Sequence, residues 1–189
     1  MGEGTQLPPN CYEWGPKGVD HQRRLAVSPF PGDAGAAASE TRRLIAAAAT
    51  EGTSVAYLRA VAAVCGDRLL VPVVVTTTRL GQTLGGLTSD KEAEMSVVTL
   101  QRPDGHRALL VFTGLDAVRS WRLDARPVPV TLDIAAQAAR SEELTALLID
   151  VAGPHTLVLE GEILVELAVG HRLIELSDGE FGWIIPAPD

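Results

Sequence analysis

Apolar positions along the 189-residue chain change their period several times, and each change predicts an element. From Ser39 the spacing is helical, with Leu44, Ile45 and Ala48 on one face until Gly52. Ser39 is expected to cap this helix by accepting from its first amides, with Glu40 placed against the positive end of the dipole. Thr53 opens a second helix in the same way, carrying Val55, Leu58, Ala62 and Cys65 on one face, and Gly66 stops it. Both helices are rich in alanine, so this helical hairpin can lie close to a sheet.

At Arg68 the period changes. Leu69 to Thr76 is an apolar, β-branched run of the kind buried on both faces, and Pro72, which has no amide, is expected at a strand end, an edge or a bulge. A polar, glycine-containing stretch covers 77–92. Glu94 to Gln101 then alternates, and Arg107 to Phe112 is a matching apolar run. Between them Pro103-Asp104-Gly105 supplies a fixed φ and a residue tolerant of positive φ, which together predict a β-hairpin. Further on the pattern gives a short helix from Gly114 through Trp121, a strand at Arg126 to Val130 and a helix at Leu132 to Arg140. Strands at Leu144 to Val151 and Leu157 to Leu159 and a helix at Glu162 to Ala168 follow. Two β-like runs, His171 to Leu176 and Phe181 to Ile185, flank a Ser177-Asp178-Gly179 turn and predict a terminal hairpin.

Strands alternating with short helices give an α/β (α+β) fold, a single domain with a mixed β-sheet flanked by short helices. Residues 1–38 are broken by Pro8-Pro9, Gly15-Pro16, Ser28-Pro29 and Pro31-Gly32 and read as an irregular N-terminal arm. The domain proper is expected over 39–170, with 171–189 as a C-terminal extension. The arm holds Tyr12, Trp14 and Phe30, three of the chain's eight aromatics, so part of it is expected to dock. Val-Pro-Val occurs at 71–73 and 128–130, too little to establish an internal repeat.

Composition narrows the function. A content of 46% hydrophobic and 21% charged residues is that of a folding chain rather than a disordered one. The formal net charge is −8 and only two lysines occur, Lys17 and Lys91, which argues against nucleic-acid binding through phosphate neutralisation. The excess acid is local: residues 128–189 carry eleven acids against Arg140 and Arg172. Among them Glu142, Glu143, Asp150, Glu160, Glu162 and Glu166 are expected on a charged outer surface suited to a basic partner. The longest apolar run is far short of a membrane span and no signal-peptide pattern opens the chain, so the expected compartment is the cytoplasm.

Candidate chemistry is sparse. Cys11 and Cys65 form no Cys-x-x-Cys motif; Cys65 reads as a buried small hydrophobe, and a disulfide between the two stays open. No Gly-x-Ser-x-Gly elbow occurs, and His21, His106, His155 and His171 are widely spaced without zinc-ligand spacing. His106 and His155 follow turn residues and are expected to be exposed. Gly81-Gln82-Thr83-Leu84-Gly85-Gly86 follows a strand but has neither the Gly-Lys-Ser/Thr end of a P-loop nor a dinucleotide fingerprint. Phe112 and Trp121 are expected to pack together on the sheet. No catalytic, cofactor or metal residue is assigned.

The leading reading is a non-enzymatic cytoplasmic binding or adaptor domain. It contacts an unidentified protein partner, not nucleic acid or membrane, through a loop including Arg79, Gly81, Gly85, Gly86, Asp90, Lys91, Glu92 and Glu94. The alternative is a small-molecule- or metal-responsive, enzyme-like domain using Asp90, Glu92 and Glu94 as hard-cation ligands. The oligomeric state stays open.

Four segments in order carry a resemblance: Leu69-Leu70-Val71-Pro72-Val73, Asp90-Lys91-Glu92-Ala93-Glu94-Met95, Ala108 to Thr113 with Trp121, and Ala125 to Val130. They resemble the SseB N-terminal-domain family, named for enhanced serine sensitivity, in its actinobacterial form, from about Arg24 to Gly170. The resemblance implies an α/β domain of undefined molecular function, without a known cofactor or active site. Two positions depart from the family's pattern: Leu110, where proline is frequent, and Gly114, where serine is common. Enterobacterial members carry a second, C-terminal domain, for which the 19 residues after Gly170 are too few.

Overall fold

Two alanine-rich helices, α1 (Ser39–Glu51) and α2 (Ser54–Gly66), form the expected hairpin and lead into strand β1 (Leu69–Thr76). The computed structural model describes residues 30–76, 94–101 and 105–185, with backbone alone for 75, 76 and 94–97. Apart from Phe30 and Pro31, these belong to one unit, Gly32–Asp189. Thr53 caps α2 as its sequence suggests, its hydroxyl accepting from the Ala56 amide at 3.2 Å. At α1 the expectation fails by one residue: Ala38 is the N-cap, with no side-chain cap, and Ser39 is already helical. The chain enters α1 from a segment tied down at Gly35 and Ala36, whose carbonyls accept from the Leu115 amide and the Arg68 side chain. Those ties, not a hydroxyl, set where the helix begins.

Strands β2 (Glu94–Val97), β3 (Thr99–Gln101), β4 (Arg107–Val111), β5 (Arg126–Val130), β6 (Ala146–Ile149) and β7 (Leu157–Glu160) make two sheets. One has the order β2-β1-β5 and is antiparallel; the other has the order β3-β4-β6-β7, with β4 and β6 parallel. Residues 94–101, predicted as a single strand, break at Val98: β2 pairs with β1 and β3 pairs with β4. The break hands the chain from one sheet to the other, and two further links join them. Leu70 and Phe112 exchange both backbone hydrogen bonds at 2.8 Å, and the Leu110 amide donates to Val98 at 3.2 Å. A proline at 110 would lose that second link.

Pro72 lies within regular pairing in the central strand of its sheet, opposite Pro127, against the expectation of a strand end, an edge or a bulge. The hydrogen-bond alternation of an antiparallel ladder explains it. Leu70 points its backbone groups at Phe112, away from β5, so Leu69, Val71 and Val73 make the ladder to β5 and Pro72 faces the other side. There it precedes the first residue paired with β2, Val73. Pro127 and Pro129 likewise turn their amide-less nitrogens to the open edge of β5. The two Val-Pro-Val segments thus lie on neighbouring strands with every missing donor off the ladder.

Helices α3 (Leu115–Trp121), α4 (Leu132–Ser141) and α5 (Gly161–Ala168) and the hairpin of β8 (Arg172–Ser177) and β9 (Glu180–Ile184) complete the unit. On the four-stranded sheet Leu109, Val111, Leu147, Ile149, Leu157 and Leu159 share one face and are buried with residues of α1, α2, α4 and α5. Cys65 belongs to this core as a free thiol, and burial pushes its pKa up. Among the described residues the opposite face is covered only near the C-terminal ends of β4 and β6. There Leu110 and Phe112 pack with Leu70 and α3, and the Phe112 and Trp121 rings lie 5.7 Å apart, as their sequence positions suggest. Among the described residues no helix is long and apolar enough to cross a membrane.

Leu110 is fully buried where the two sheets meet, so Leu110→Ala should lower unfolding free energy by about 2–5 kcal/mol in urea titration. Thr53→Ala, which removes only a cap, should cost about 1 kcal/mol.

Candidate functional site

In sheets with parallel strands, chemistry collects at the strands' C-terminal ends, and here β4 and β6 end side by side. Thr113 follows β4 by two residues and Asp150 follows β6 directly; both are buried. The Thr113 amide donates to Asp150 Oδ1 at 2.9 Å and its hydroxyl to Oδ2 at 2.6 Å. The same hydroxyl accepts from Arg42 Nε at 3.0 Å, and that nitrogen lies 3.9 Å from Asp150 Oδ2. Arg42, on the first turn of α1, spends its other two nitrogens on Asp116 at 2.5 and 2.7 Å, in the first turn of α3. One buried carboxylate therefore ties two strand ends to two helix starts.

Asp150 belongs to the acids expected on the outer surface, and the structure corrects that reading: it is 5% exposed. Its backbone is left-handed, φ 55°, which aspartate tolerates better than most residues. Its carbonyl accepts from the Gly153 amide at 2.8 Å, closing a turn that swings the side chain back towards β4. A second arginine extends the network. Arg68, just before β1, donates to the Thr113 carbonyl at 3.0 Å and to the Ala36 carbonyl at 2.9 Å, and grips Asp33 with Nε at 2.7 Å and Nη2 at 2.9 Å. The Thr41 hydroxyl donates to Asp67 beside it. Gly114 makes room for this convergence: a Cβ there would come within 2.9 Å of the Ala37 nitrogen and 2.7 Å of Asp116 Oδ1.

Electrostatically the network is self-contained. Hydrogen bonds from Arg42 hold the Asp116 carboxyl down at about 2, and the Gly35 amide with Arg68 lowers that of Asp33. Among the described residues no buried side-chain nitrogen or oxygen lacks a partner. Thr113, Asp150 and Arg42 satisfy one another, so the arrangement clamps the two strand ends together.

Of the loop singled out in the sequence, Arg79, Gly81, Gly85, Gly86, Asp90, Lys91 and Glu92 lie outside the described residues. Glu94 begins β2, in register with Thr76. Cys11 and His21 also fall outside. His106 is exposed as expected, whereas His155 is half-buried; His171 pairs with Glu166 at 2.6 Å. Among the described residues no group of three or more His, Cys, Asp and Glu is placed to hold a metal ion.

Among the described residues, two of the surface clefts stand out. One of about 440 Å³ runs along α1 and α2, and its charges are largely paired with each other, Glu40 with Arg43 and Arg59 with Glu175. The other, about 530 Å³, lies on the uncovered face of the four-stranded sheet. Register places Leu100, Ala108, Ala146 and Glu160 in one row across it, and Leu110, Leu148 and Val158 in the next. Leu100 and Val158 are 40% and 38% exposed, so among the described residues this face is largely apolar and partly open. The outer edge of β7 is closed by Tyr57, whose hydroxyl donates to the Val158 carbonyl at 2.9 Å.

The SseB protein N-terminal domain family matches residues 41–165, about two thirds of the chain. The chain belongs to this family. Arg42, Arg68, Thr113, Asp116 and Asp150 all fall inside the matched residues, whereas Asp33 and the β8–β9 hairpin fall outside. Searches of curated proteins and of solved structures gave no match.

Asp150→Ala leaves two Thr113 donors without their acceptor and should cost about 2–4 kcal/mol in urea unfolding, while Asp150→Asn, which tolerates the same φ, should cost less. Asp116 has a folded-state pKa below its unfolded value of 3.8, so its contribution to stability is complete above about pH 5 and is lost as pH falls towards 2. Asp116→Asn should flatten that part of the acid-unfolding curve and leave the slope above pH 6 unchanged.

Proposed function

We propose that this SseB-family chain is a non-enzymatic cytoplasmic protein-binding domain, and that its contact surface is the uncovered face of the four-stranded sheet. The observation that carries this reading is the contrast between the sheet's two faces. Among the described residues one face is packed with helices, while the other leaves Leu100, Leu148 and Val158 partly accessible around a floor of Ala108 and Ala146. An apolar opening of this kind on a folded domain costs solubility unless something covers it in use. The polar network at the strand ends supports a binding role too, because its groups are committed to holding α1 and α3 in place.

The polar stretch 77–92 directly precedes β2 in the chain, and on sequence grounds it is proposed as a second part of the contact surface. The order of the four motifs supports the actinobacterial form of the family.

The test is affinity capture with chemical crosslinking from the native cell, comparing the intact chain with Leu100→Glu/Val158→Glu. Both side chains are partly exposed, so the variant should keep the circular dichroism spectrum and melting temperature of the parent. Loss of specific crosslinked partners from the folded variant is the expected result; an unchanged partner set would remove this face from the reading.

A further inference from the structure

The β8–β9 hairpin leans on α2 through a short series of contacts. At its tip, a Cβ on Gly179 would lie 3.9 Å from Val55 in the first turn of α2. At its base, the Leu173 amide hydrogen-bonds the sulfur of Cys65 in the last turn. Between these points Arg59 donates to Glu175 at 2.8 Å and to Asp178. Leu173 is the hairpin's one buried side chain, whereas Phe181 and Trp183 are half-buried against the core. Its other face is open among the described residues, with Leu176 and Ile184 exposed on it. The two ends of the hairpin are therefore held differently. The base continues directly from the end of α5, where the Gly170 and His171 amides donate to the Leu167 and Glu166 carbonyls and the His171 ring pairs with Glu166 at 2.6 Å. The tip is held by Arg59 through side chains that reach solvent.

A two-stranded hairpin is marginal by itself, and a segment with few buried contacts opens at a lower free energy than the whole domain. The contrast with the rest of the unit is sharp. Both larger sheets and the Thr113–Asp150 clamp lie within the family match, which ends at residue 165, before the hairpin begins. We propose that the β8–β9 hairpin is a strap that swings off α2 as a unit about its base at His171, while the two larger sheets stay folded, and that Arg59 is its latch. Opening uncovers the side of α2 that runs from Val55 through Arg59 to Cys65. The latch thus sets access to this helix face rather than the stability of the domain.

Thiol labelling of the full-length chain tests it. With Cys11→Ser, Cys65 is the sole thiol, and because it is buried while the strap is closed, its reaction with dithiobis(nitrobenzoate) reads the open fraction. Below the global unfolding transition the rate should be almost flat in urea, since opening a hairpin exposes little surface. Arg59→Gln should raise it about threefold with little change in the urea midpoint. Arg43→Gln, which breaks the neighbouring pair with Glu40, should leave it unchanged, as should Leu110→Ala, which weakens the join between the sheets. Amide hydrogen exchange should group residues 172–184 with the thiol and leave β4 and β6 in a slower class. A rate that follows the global unfolding curve in urea and rises about thirtyfold in Leu110→Ala would mean that Cys65 is reached only by unfolding the domain, and would overturn the proposal. Fast labelling with the hairpin amides still protected would place the opening in the last turn of α2 and overturn it as well. Indifference to Arg59→Gln would overturn the latch.

Discussion

The buried carboxylate of Asp150 is the point on which the architecture turns. A parallel strand pair cannot be closed by a hairpin, so the C-terminal ends of β4 and β6 must be joined to the rest of the chain by other means. Here one side chain does it. Asp150 takes both donors of Thr113, Thr113 in turn accepts from Arg42, and Arg42 reaches Asp116, so β4, β6, α1 and α3 meet at one place. Arg68 then adds the segment around Asp33 and Ala36 through the Thr113 carbonyl. With those ends fixed, α3 is held over Phe112 and Leu110, and the two sheets stay joined through Leu70 and Val98.

The same constraint decides which part of the sheet the described elements cover. Among the described residues the clamp and α3 cover the sheet face at the C-terminal ends of β4 and β6, and α1, α2, α4 and α5 pack over Leu109, Val111, Leu147, Ile149, Leu157 and Leu159 on the reverse face. Open among the described residues is the N-terminal half of β4 and β6 with the adjoining parts of β3 and β7. Tyr57 occupies the Val158 carbonyl at the β7 edge, which discourages strand addition at that point. Burial pushes the Tyr57 phenol upward, with the nearby Glu160 adding to the shift, so the hydroxyl keeps its proton and its role as donor.

Most elements were legible in the sequence because each has a local cause. Thr53 caps, Gly52 takes φ 64° at the end of α1, and Gly105, at φ 88°, follows the reversal between β3 and β4. What escaped was set at long range. Nothing local shows that residues 94–101 divide at Val98, because the division exists only to serve two sheets. Pro72 was expected at a strand end, an edge or a bulge by a sound rule, yet its side of the ladder depends on Phe112, forty residues away in the chain. The clamp was missed for the same reason: Arg42 and Thr113 are 71 residues apart, and Thr113 and Asp150 are 37 apart. A partial signal exists, since Thr113 and Asp150 are each the first polar residue after an apolar strand run, where parallel strands place their functional groups. Counting Asp150 among solvated acids overlooked that position.

The central claim is that Thr113 and Asp150 work as a unit rather than as two independent contributions. A double-mutant cycle with Thr113→Val and Asp150→Ala, read as unfolding free energy in urea at pH 7, measures this directly. The account predicts strong non-additivity: the double variant should lose little more than the worse single one, giving a coupling of about 1–3 kcal/mol. Additive losses, with coupling within about 0.5 kcal/mol of zero, would contradict it.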